Sequence, residues 1–356
     1  MTRLVNSFSY SHSRGELFRE CPRRYWFARY GGWGGWDRSA DPVTREIYRL
    51  TKLSNRYLWT GHHVHDRVEG LIARIAEKVP LPPEEEERAA LLETLRREYA
   101  HSKKDRSGHN PPRKGFWGLL EHEGRDFAIP DADWKPLVER AGEALGGFYR
   151  SWVLSELFSG DSVEILDRDA DLRTLTLDVD GREIPVYMKI DLAYRLPDGT
   201  VRVVDWKTGR PGPPDEHEGQ LALYAWYYAK ERGIPLDRIR LGPVYLAHRP
   251  ERVELQPVLP DAVDRVLGET LDTIREILAL VDDPNLGVAR KERFPVTVRS
   301  FHCRDCPFRP FCPDRPRPSG SRGDGMAPLP SPFEGQTICR PQGGSPSESS
   351  EKAGTH

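Results

Sequence analysis

The sequence predicts an α/β fold in which a mixed sheet is flanked by helices. Apolar residues alternate over 186–192 and again over 201–206, as they do in half-buried strands. The segment 197–199, Pro-Asp-Gly, lies between them and signals a hairpin turn. A helical pattern over 217–232 follows, and 241–247 is typical of a further strand.

Amphipathic patterns before the sheet predict an N-terminal helical region. Over residues 58–79 the apolar side chains recur one helical turn apart. After Pro80, glutamates fill the first turn of the next helix and arginines its last turn, which the helix dipole favours. The other predicted helices span residues 7–30, 132–158 and 262–281.

Two more strands are predicted ahead of the central hairpin, over residues 163–166 and 171–179. The pair Asp180-Gly181 favours a tight turn after the second of them. The strand that leaves this turn is expected to continue through Asp191.

Charged side chains gather where the central hairpin ends. Asp191 is predicted on its first strand, and Asp205 and Lys207 lie two positions apart on its second, so that they share a face. Carboxylates hold Mg²⁺ or Mn²⁺, which activates a bound water and neutralises phosphate charge, while a lysine orients the water or stabilises the transition state. The pattern therefore favours metal-assisted phosphodiester hydrolysis. The alternative interpretation is a charged strand end in solvent.

Composition limits the function classes. With 356 residues, 37% hydrophobic and 30% charged, the chain has the make-up of a soluble globular protein. It shows no apolar run of membrane-spanning length and no hydrophobic signal region, so we expect a cytoplasmic location without membrane contact. The formal charge of -2 means that any nucleic-acid surface has to be a local patch.

Four of the five cysteines have the spacing of a metal site. Cys303, Cys306 and Cys312 are close in sequence, and Cys21 lies far upstream. Disulfides are not expected in the cytosol, whereas four thiolates complete a tetrahedral zinc site or ligate a [4Fe-4S] cluster. By itself Cys21 is equally typical of a small buried side chain. Cys339 lies in a polar C-terminal stretch and is not expected to be a ligand.

The motifs Ile190-Asp191, Asp205-Trp206-Lys207 and Gln220-x-x-x-Tyr224 together resemble the PD-(D/E)XK nuclease superfamily. The resemblance is to its RecB-like branch, which includes AddB-type nucleases and CRISPR-associated adaptation exonucleases with an iron-sulfur cluster. The chain departs from the superfamily pattern twice, with Ile190 where the proline would be and Asp205 in place of the commoner glutamate. The resemblance implies a restriction-endonuclease-like sheet and nuclease activity.

The resemblance also implies roles for individual residues. Gly61-x-x-x-His65 is similar to the branch's first motif, whose histidine is a metal ligand, while His62 and His63 are expected to be structural. The implied metal ligands are His65, Asp191, Asp205 and the backbone carbonyl of Trp206. The implied catalytic residues are Asp191, Asp205 and Lys207, and Gln220 and Tyr224 are expected to support DNA binding or the edge of the active site. A histidine on a helix is otherwise most often an ordinary surface or core residue.

The segment around Cys21 is similar to the first ligand segment of the iron-sulfur nucleases of this branch. With Cys303, Cys306 and Cys312 it implies a [4Fe-4S] cluster in a C-terminal module that joins the two ends of the domain. Zinc at the same four cysteines is the alternative. Residues 1–315 are then one nuclease domain with a helical insert over about 80–157, and residues 316–356 are expected to be a disordered tail because they lack bulky apolar side chains.

The expected function is a metal-dependent DNA nuclease, an exonuclease on single-stranded or end-exposed DNA in repair, recombination or CRISPR adaptation, with a repair or adaptation protein as partner. The other hypothesis is an inactive DNA-binding or assembly subunit of such a complex. A basic loop with Lys103, Lys104, Arg106, Arg113 and Lys114, followed by Phe116 and Trp117, suits contact with phosphates and bases and suits a plain surface loop equally well.

Overall fold

The computed structural model describes residues 4–104, 115–124, 127–158, 163–168, 172–213, 215–248, 254–299 and 301–313. The predicted tail 316–356 with Cys339, and Arg106, Arg113 and Lys114 of the basic loop, lie outside the described residues. The described chain divides into two compact units. Unit 1 consists of residues 4–8, 17–52 and 277–313, and unit 2 consists of residues 9–16 and 53–276, each with the gaps given above.

The helices are α1 (His12–Glu20), α2 (Pro22–Trp26), α3 (Pro42–Lys52), α4 (Arg56–Ala76), α5 (Glu84–Lys104), α6 (Trp134–Tyr149), α7 (Trp152–Phe158), α8 (Glu218–Arg232), α9 (Pro260–Leu280) and α10 (Phe301–Arg304). The strands are β1 (Glu164–Arg168), β2 (Leu172–Val179), β3 (Arg182–Lys189), β4 (Leu192–Arg195), β5 (Val201–Lys207), β6 (Ile239–Tyr245) and β7 (Gln256–Pro257). In the described part of the chain, every helix is too short or too polar to cross a lipid bilayer.

Unit 2 contains a five-stranded sheet in the order β1-β4-β5-β6-β7. β5 pairs antiparallel with β4 and parallel with β6, so the sheet is mixed. The predicted mixed sheet flanked by helices is therefore confirmed. The buried face of α4 and the middle of α6 pack with β4, β5 and the end of β6 in one apolar core. Gly147 of α6 permits this packing, because a β-carbon there would lie 1.7 Å from the carbonyl oxygen of Leu246.

β2 and β3 form a separate two-stranded sheet. Asp180 and Gly181 connect them with φ values of 54° and 80°, the geometry of the predicted tight turn. The prediction of one strand running through Asp191 was wrong, because β3 ends at Lys189 and β4 begins at Leu192. Burial explains the break: side chains alternate between buried and less buried along β3, whereas β4 is buried on both faces.

Unit 1 brings together segments from both ends of the described chain. The ring centroids of Phe27 and Phe308 lie 5.1 Å apart in a stacked arrangement, and Nε of Arg23 donates to the carbonyl of Phe294 at 2.7 Å. The predicted helix over 7–30 is interrupted at Cys21, which is extended with φ -164° and ψ 106°. Pro22 causes the interruption, since a residue before proline is disfavoured in the helical conformation.

Candidate active site

Asp205 lies in the middle of the sheet, where water is excluded. β5 has neighbours on both sides, and Asp205 is only 2% exposed. Asp191 precedes β4, and its Oδ2 accepts a hydrogen bond from the backbone N–H of Trp206 at 2.7 Å. The pairing of β4 with β5 reaches only to Leu192 and Val204 at this end of the two strands. The carboxylate of Asp191, one residue before β4, therefore accepts a hydrogen bond from β5 just beyond that pairing. This bond holds the two carboxylates at one end of the strand pair.

Lys207 completes the predicted same-face arrangement on β5. Its Nζ lies 2.6 Å from Oδ2 of Asp205. Burial raises the pKa of Asp205 to about 6, and the negative charge of Asp191 adds to the rise, while the ammonium of Lys207 opposes it. Oδ2 is buried, and its close partner among the described residues is the ammonium of Lys207. A cation that used this oxygen would therefore compete with the Lys207 ammonium for it.

His65 reaches the carboxylates from α4. Its Nδ1 lies 3.5 Å from Oδ1 of Asp191. The side chain of Asn55 caps α4 by accepting from two backbone N–H groups, and Val64 and Val68 anchor the helix in the core. At Gly61 a β-carbon would lie 3.1 Å from Oγ1 of Thr208, so the Thr208 side chain approaches α4 closely there.

The two histidines next to His65 have other surroundings. Nε2 of His63 lies 2.7 Å from Oε2 of Glu98 on α5 and is hydrogen bonded to it. His62 is exposed and lies 3.4 Å from Asp66 on the same helix. Their structural assignment stays a prediction, and the geometry agrees with it.

Gln220 and Tyr224 on α8 form a short hydrogen-bond relay. Nε2 of Gln220 donates to Oη of Tyr224 at 2.6 Å, and that hydroxyl donates to the carbonyl of Lys189 at 2.6 Å. Lys189 is the last residue of β3, two positions before Asp191. The relay therefore fixes the backbone from which the Asp191 side chain projects.

Sequence reasoning missed His217 and Tyr245. Nε2 of His217 lies within hydrogen-bond distance of Oη of Tyr245, at 3.0 Å, and Tyr245 is the β6 residue paired in register with Lys207. Burial lowers the pKa of His217, and the positive charge of Lys207 lowers it further. The strand pattern of 241–247 was visible, but its parallel register with β5 was not, so neither residue could be assigned to the site.

The donor set suits a hard divalent cation. Asp191, Asp205 and the Trp206 carbonyl offer oxygen, which Mg²⁺ and Mn²⁺ prefer, and His65 offers an imidazole nitrogen. Among the described residues, no three His, Cys, Asp or Glu side chains are already arranged as a metal site. The donor atoms fit the cation by chemistry, and binding requires the side chains to move from the positions that they have here.

The four predicted cluster cysteines all lie in unit 1. None of the four is in a disulfide, and together Cys21, Cys303, Cys306 and Cys312 line one cavity. Burial raises the pKa of both Cys306 and Cys312 to about 11, and the neighbouring Cys21 adds to both shifts. The structure brings the four side chains around a common space without giving them the geometry of a closed metal site.

Comparison with known proteins points to one family. The chain matches the family model of the PD-(D/E)XK nuclease superfamily over residues 9–313. A solved structure described as "Crystal structure of SSO0001" is similar at 14% identity over 63% of this chain and 98% of that chain, with a TM-score of 0.29, which is too low to bear on the fold. No curated protein matches the chain significantly.

Proposed function

We propose, from the premise that this chain belongs to the PD-(D/E)XK nuclease superfamily, that it is a metal-dependent deoxyribonuclease. The observation that supports this best is the grouping of Asp191, Lys207 and His65 around the buried Asp205 carboxylate. We further propose that it belongs to the RecB-like branch and acts as an exonuclease on single-stranded or end-exposed DNA, in repair, recombination or CRISPR adaptation with a protein partner. The motif resemblance supports these finer assignments.

In this proposal the metal ligands are His65, Asp191, Asp205 and the carbonyl of Trp206. A bound Mg²⁺ or Mn²⁺ supplies charge neutralisation at the phosphate and lowers the pKa of a water molecule. Asp205 is held because β5 pairs with β6 through Lys207 and with β4 up to Val204, and Asp191 is held by the N–H of Trp206. The site is thus oriented by backbone hydrogen bonds rather than by flexible side-chain contacts.

The proposed role of Lys207 concerns the phosphate. Its ammonium projects from the same strand face as Asp205, so it meets the anionic phosphate from the protein side and stabilises the charge that develops during cleavage. Gln220 and Tyr224 act by positioning, since their relay ends on the backbone next to Asp191.

We propose a [4Fe-4S] cluster at Cys21, Cys303, Cys306 and Cys312, with zinc as the alternative occupant. Four thiols around one cavity are the donor set that both groups require. Iron and acid-labile sulfide in anaerobically purified, brown protein would support the cluster. Colourless protein with one equivalent of zinc would support the alternative.

The deciding experiment for the nuclease is cleavage of end-labelled single- and double-stranded DNA with Mn²⁺, beside a circular single strand that lacks ends. We expect the wild-type protein to shorten the linear substrates, to leave the circle intact, and to lose activity in Lys207→Ala. Lys230→Ala, which changes an exposed lysine on α8 that lies over Trp226, is the matched control and should retain activity. DNA binding without cleavage by any form would overturn the proposal and favour an inactive binding or assembly subunit.

A further inference from the structure

A groove in unit 2 is lined by residues that the candidate active site does not use. It encloses about 340 Å³, within the range of roughly 300–1,000 Å³ usual for ligand sites. One wall comes from the first turns of α4 and another from α6, and the loop after β5 completes it. Its polar and charged side chains and its aromatic ring come from Arg56, Tyr57, Thr60, Asp133, Arg140 and Thr208.

The groove lies directly beside the candidate active site. Thr208 follows Lys207 in sequence, and Thr60 precedes His65 by five residues, or about 7.5 Å along the helix axis. Oγ1 of Thr208 lies 3.1 Å from the position of a β-carbon on Gly61, so α4 and the loop approach each other closely there. A linear polymer bound in the groove would therefore pass next to the carboxylates of Asp191 and Asp205.

Tyr57 offers the groove an aromatic face. Tyr57 is 60% exposed, so its side chain is open to solvent. The guanidinium of Arg56 lies 4.4 Å from the ring centroid and donates through Nη2 to Oη of Tyr57 at 3.0 Å, while its Nη1 donates to Glu121 at 3.1 Å. The ring is thus exposed but held in place, as a stacking platform for a flat base requires.

Arg140 offers the groove a positive charge. It is partly buried on α6 and has no ion-pair partner within the described part of the chain, whereas Arg56 is already paired with Glu121. Asp133 is the acidic residue of the groove lining, and with Glu121 counted against Arg56 the charged groups of the groove sum to zero. An arginine that has no ion-pair partner among the described residues, in the same groove as an exposed aromatic ring, is suited to bind a phosphate next to a base.

We infer that this groove binds an unpaired nucleotide of the DNA strand next to the phosphate that is cleaved. Tyr57 stacks on the base and Arg140 contacts a backbone phosphate. The inference rests on the proposed nuclease function and gives part of the helical insert a role, because α6 forms one wall of the groove.

The first test is binding of a fluorescent single-stranded oligonucleotide, measured by anisotropy in EDTA so that cleavage does not occur. Tyr57→Ala and Arg140→Ala should each raise Kd about tenfold, and Tyr57→Phe, which keeps the ring, should bind like wild type. The matched controls are Phe158→Ala, an equally exposed aromatic at 61%, and Arg96→Ala on α5, neither of which lines the groove. Unchanged Kd in both groove variants would overturn the inference.

The second test locates the stacked base. One abasic position is moved along the oligonucleotide, and the wild-type protein should lose about tenfold in affinity at a single position near the cleaved bond. That penalty should disappear in Tyr57→Ala, because the ring it depends on is already gone. An equal penalty in both proteins would place the base elsewhere and overturn the inference.

The two proposals fail in different ways. If Lys207→Ala abolishes cleavage while the groove variants keep wild-type Kd and KM, the groove inference is wrong and the nuclease proposal is supported. If no form cleaves but Tyr57→Ala and Arg140→Ala weaken binding, the groove inference is supported and the nuclease proposal is wrong. Wild-type protein that binds no DNA would overturn the groove inference, and a circular dichroism spectrum of each variant identifies a loss of fold.

Discussion

The carboxylates of the candidate active site come from nearby positions in the sequence, whereas the cysteine cluster combines residues from both ends of the described chain. Asp191 and Asp205 are 14 positions apart, with Asp205 on β5, which pairs with both β4 and β6, and Asp191 one residue before β4. Cys21 and Cys303 are 282 positions apart, and Cys303 lies in a four-residue helix. The carboxylates are therefore oriented by regular secondary structure before a cation binds, whereas the cysteines depend much more on whatever they bind.

The largest expected effect is a loss of cleavage activity without a loss of stability, in a variant of the candidate active site. Asp205→Asn should reduce Mn²⁺-dependent cleavage about a thousandfold or more, since it removes a charged ligand without changing side-chain volume. Thermal unfolding in EDTA should not show a loss of Tm, because the strands do not need the metal. Asp264→Asn, an exposed change on α9, is the control. A large drop in Tm for Asp205→Asn would remove the contrast with the cysteines.

The reverse result is expected for the cysteine cluster. Cys21→Ser should abolish the brown colour of anaerobically purified protein and lower Tm by about 5–10 °C, because the loss of one ligand frees both ends of the long loop that the cluster closes. Cys339→Ser, which changes the cysteine not expected to be a ligand, should retain colour and Tm. If Cys21→Ser kept its iron and its Tm, the cluster would not depend on the N-terminal segment.

A smaller effect tests whether the carboxylates are oriented by the relay on α8. Tyr224→Phe removes the hydroxyl that bonds the Lys189 carbonyl, so cleavage should fall about tenfold and stability by about 1–2 kcal/mol. Tyr149→Phe is a close control, because that hydroxyl donates to the carbonyl of Pro82 away from the site. It should lose similar stability and keep full activity. Equal activity loss in both variants would contradict a positioning role for Tyr224.

A further difference between the two regions is expected in the pH dependence of stability without metal. The pKa of Asp205 rises from an ordinary value of 3.8 to about 6 on folding, so the folded state holds the extra proton and stability falls as pH rises from about 4 to about 6. Asp205→Asn removes this dependence and should be more stable than wild type by at most about 3 kcal/mol above pH 6, with the difference vanishing near pH 4. A constant difference across this range, measured by urea unfolding in EDTA, would contradict the assignment.

The cysteines should respond in another range of pH. Burial raises the pKa of Cys306 and Cys312 from 9.0 to about 11, so metal-free protein loses stability from these thiols only as pH rises above about 9. The two regions can thus be distinguished in one set of unfolding curves.

Most elements of the fold could be predicted because their patterns are local. The helix that carries His65, the turn at 197–199 and the shared face of Asp205 and Lys207 depend on neighbours a few positions away. The site residues came from motif resemblance, and their roles stay predictions. The groove residues Tyr57 and Arg140 carried no signal in the sequence, since an exposed tyrosine or arginine on a helix looks the same with or without a ligand.

The sequence by itself determined where apolar and polar residues alternate, where the turns fall, and that Asp191 and Asp205 both belong to the central hairpin region. Only the tertiary structure decided that residues 182–195 divide between two sheets, leaving Asp191 in the break. It also decided that Tyr245 of β6 stands beside Lys207, and that α6 forms a wall of the groove next to the active site. The physical reason is that periodicity fixes the direction of a side chain on its own element, whereas the partner of that element is chosen by long-range packing that no short stretch encodes.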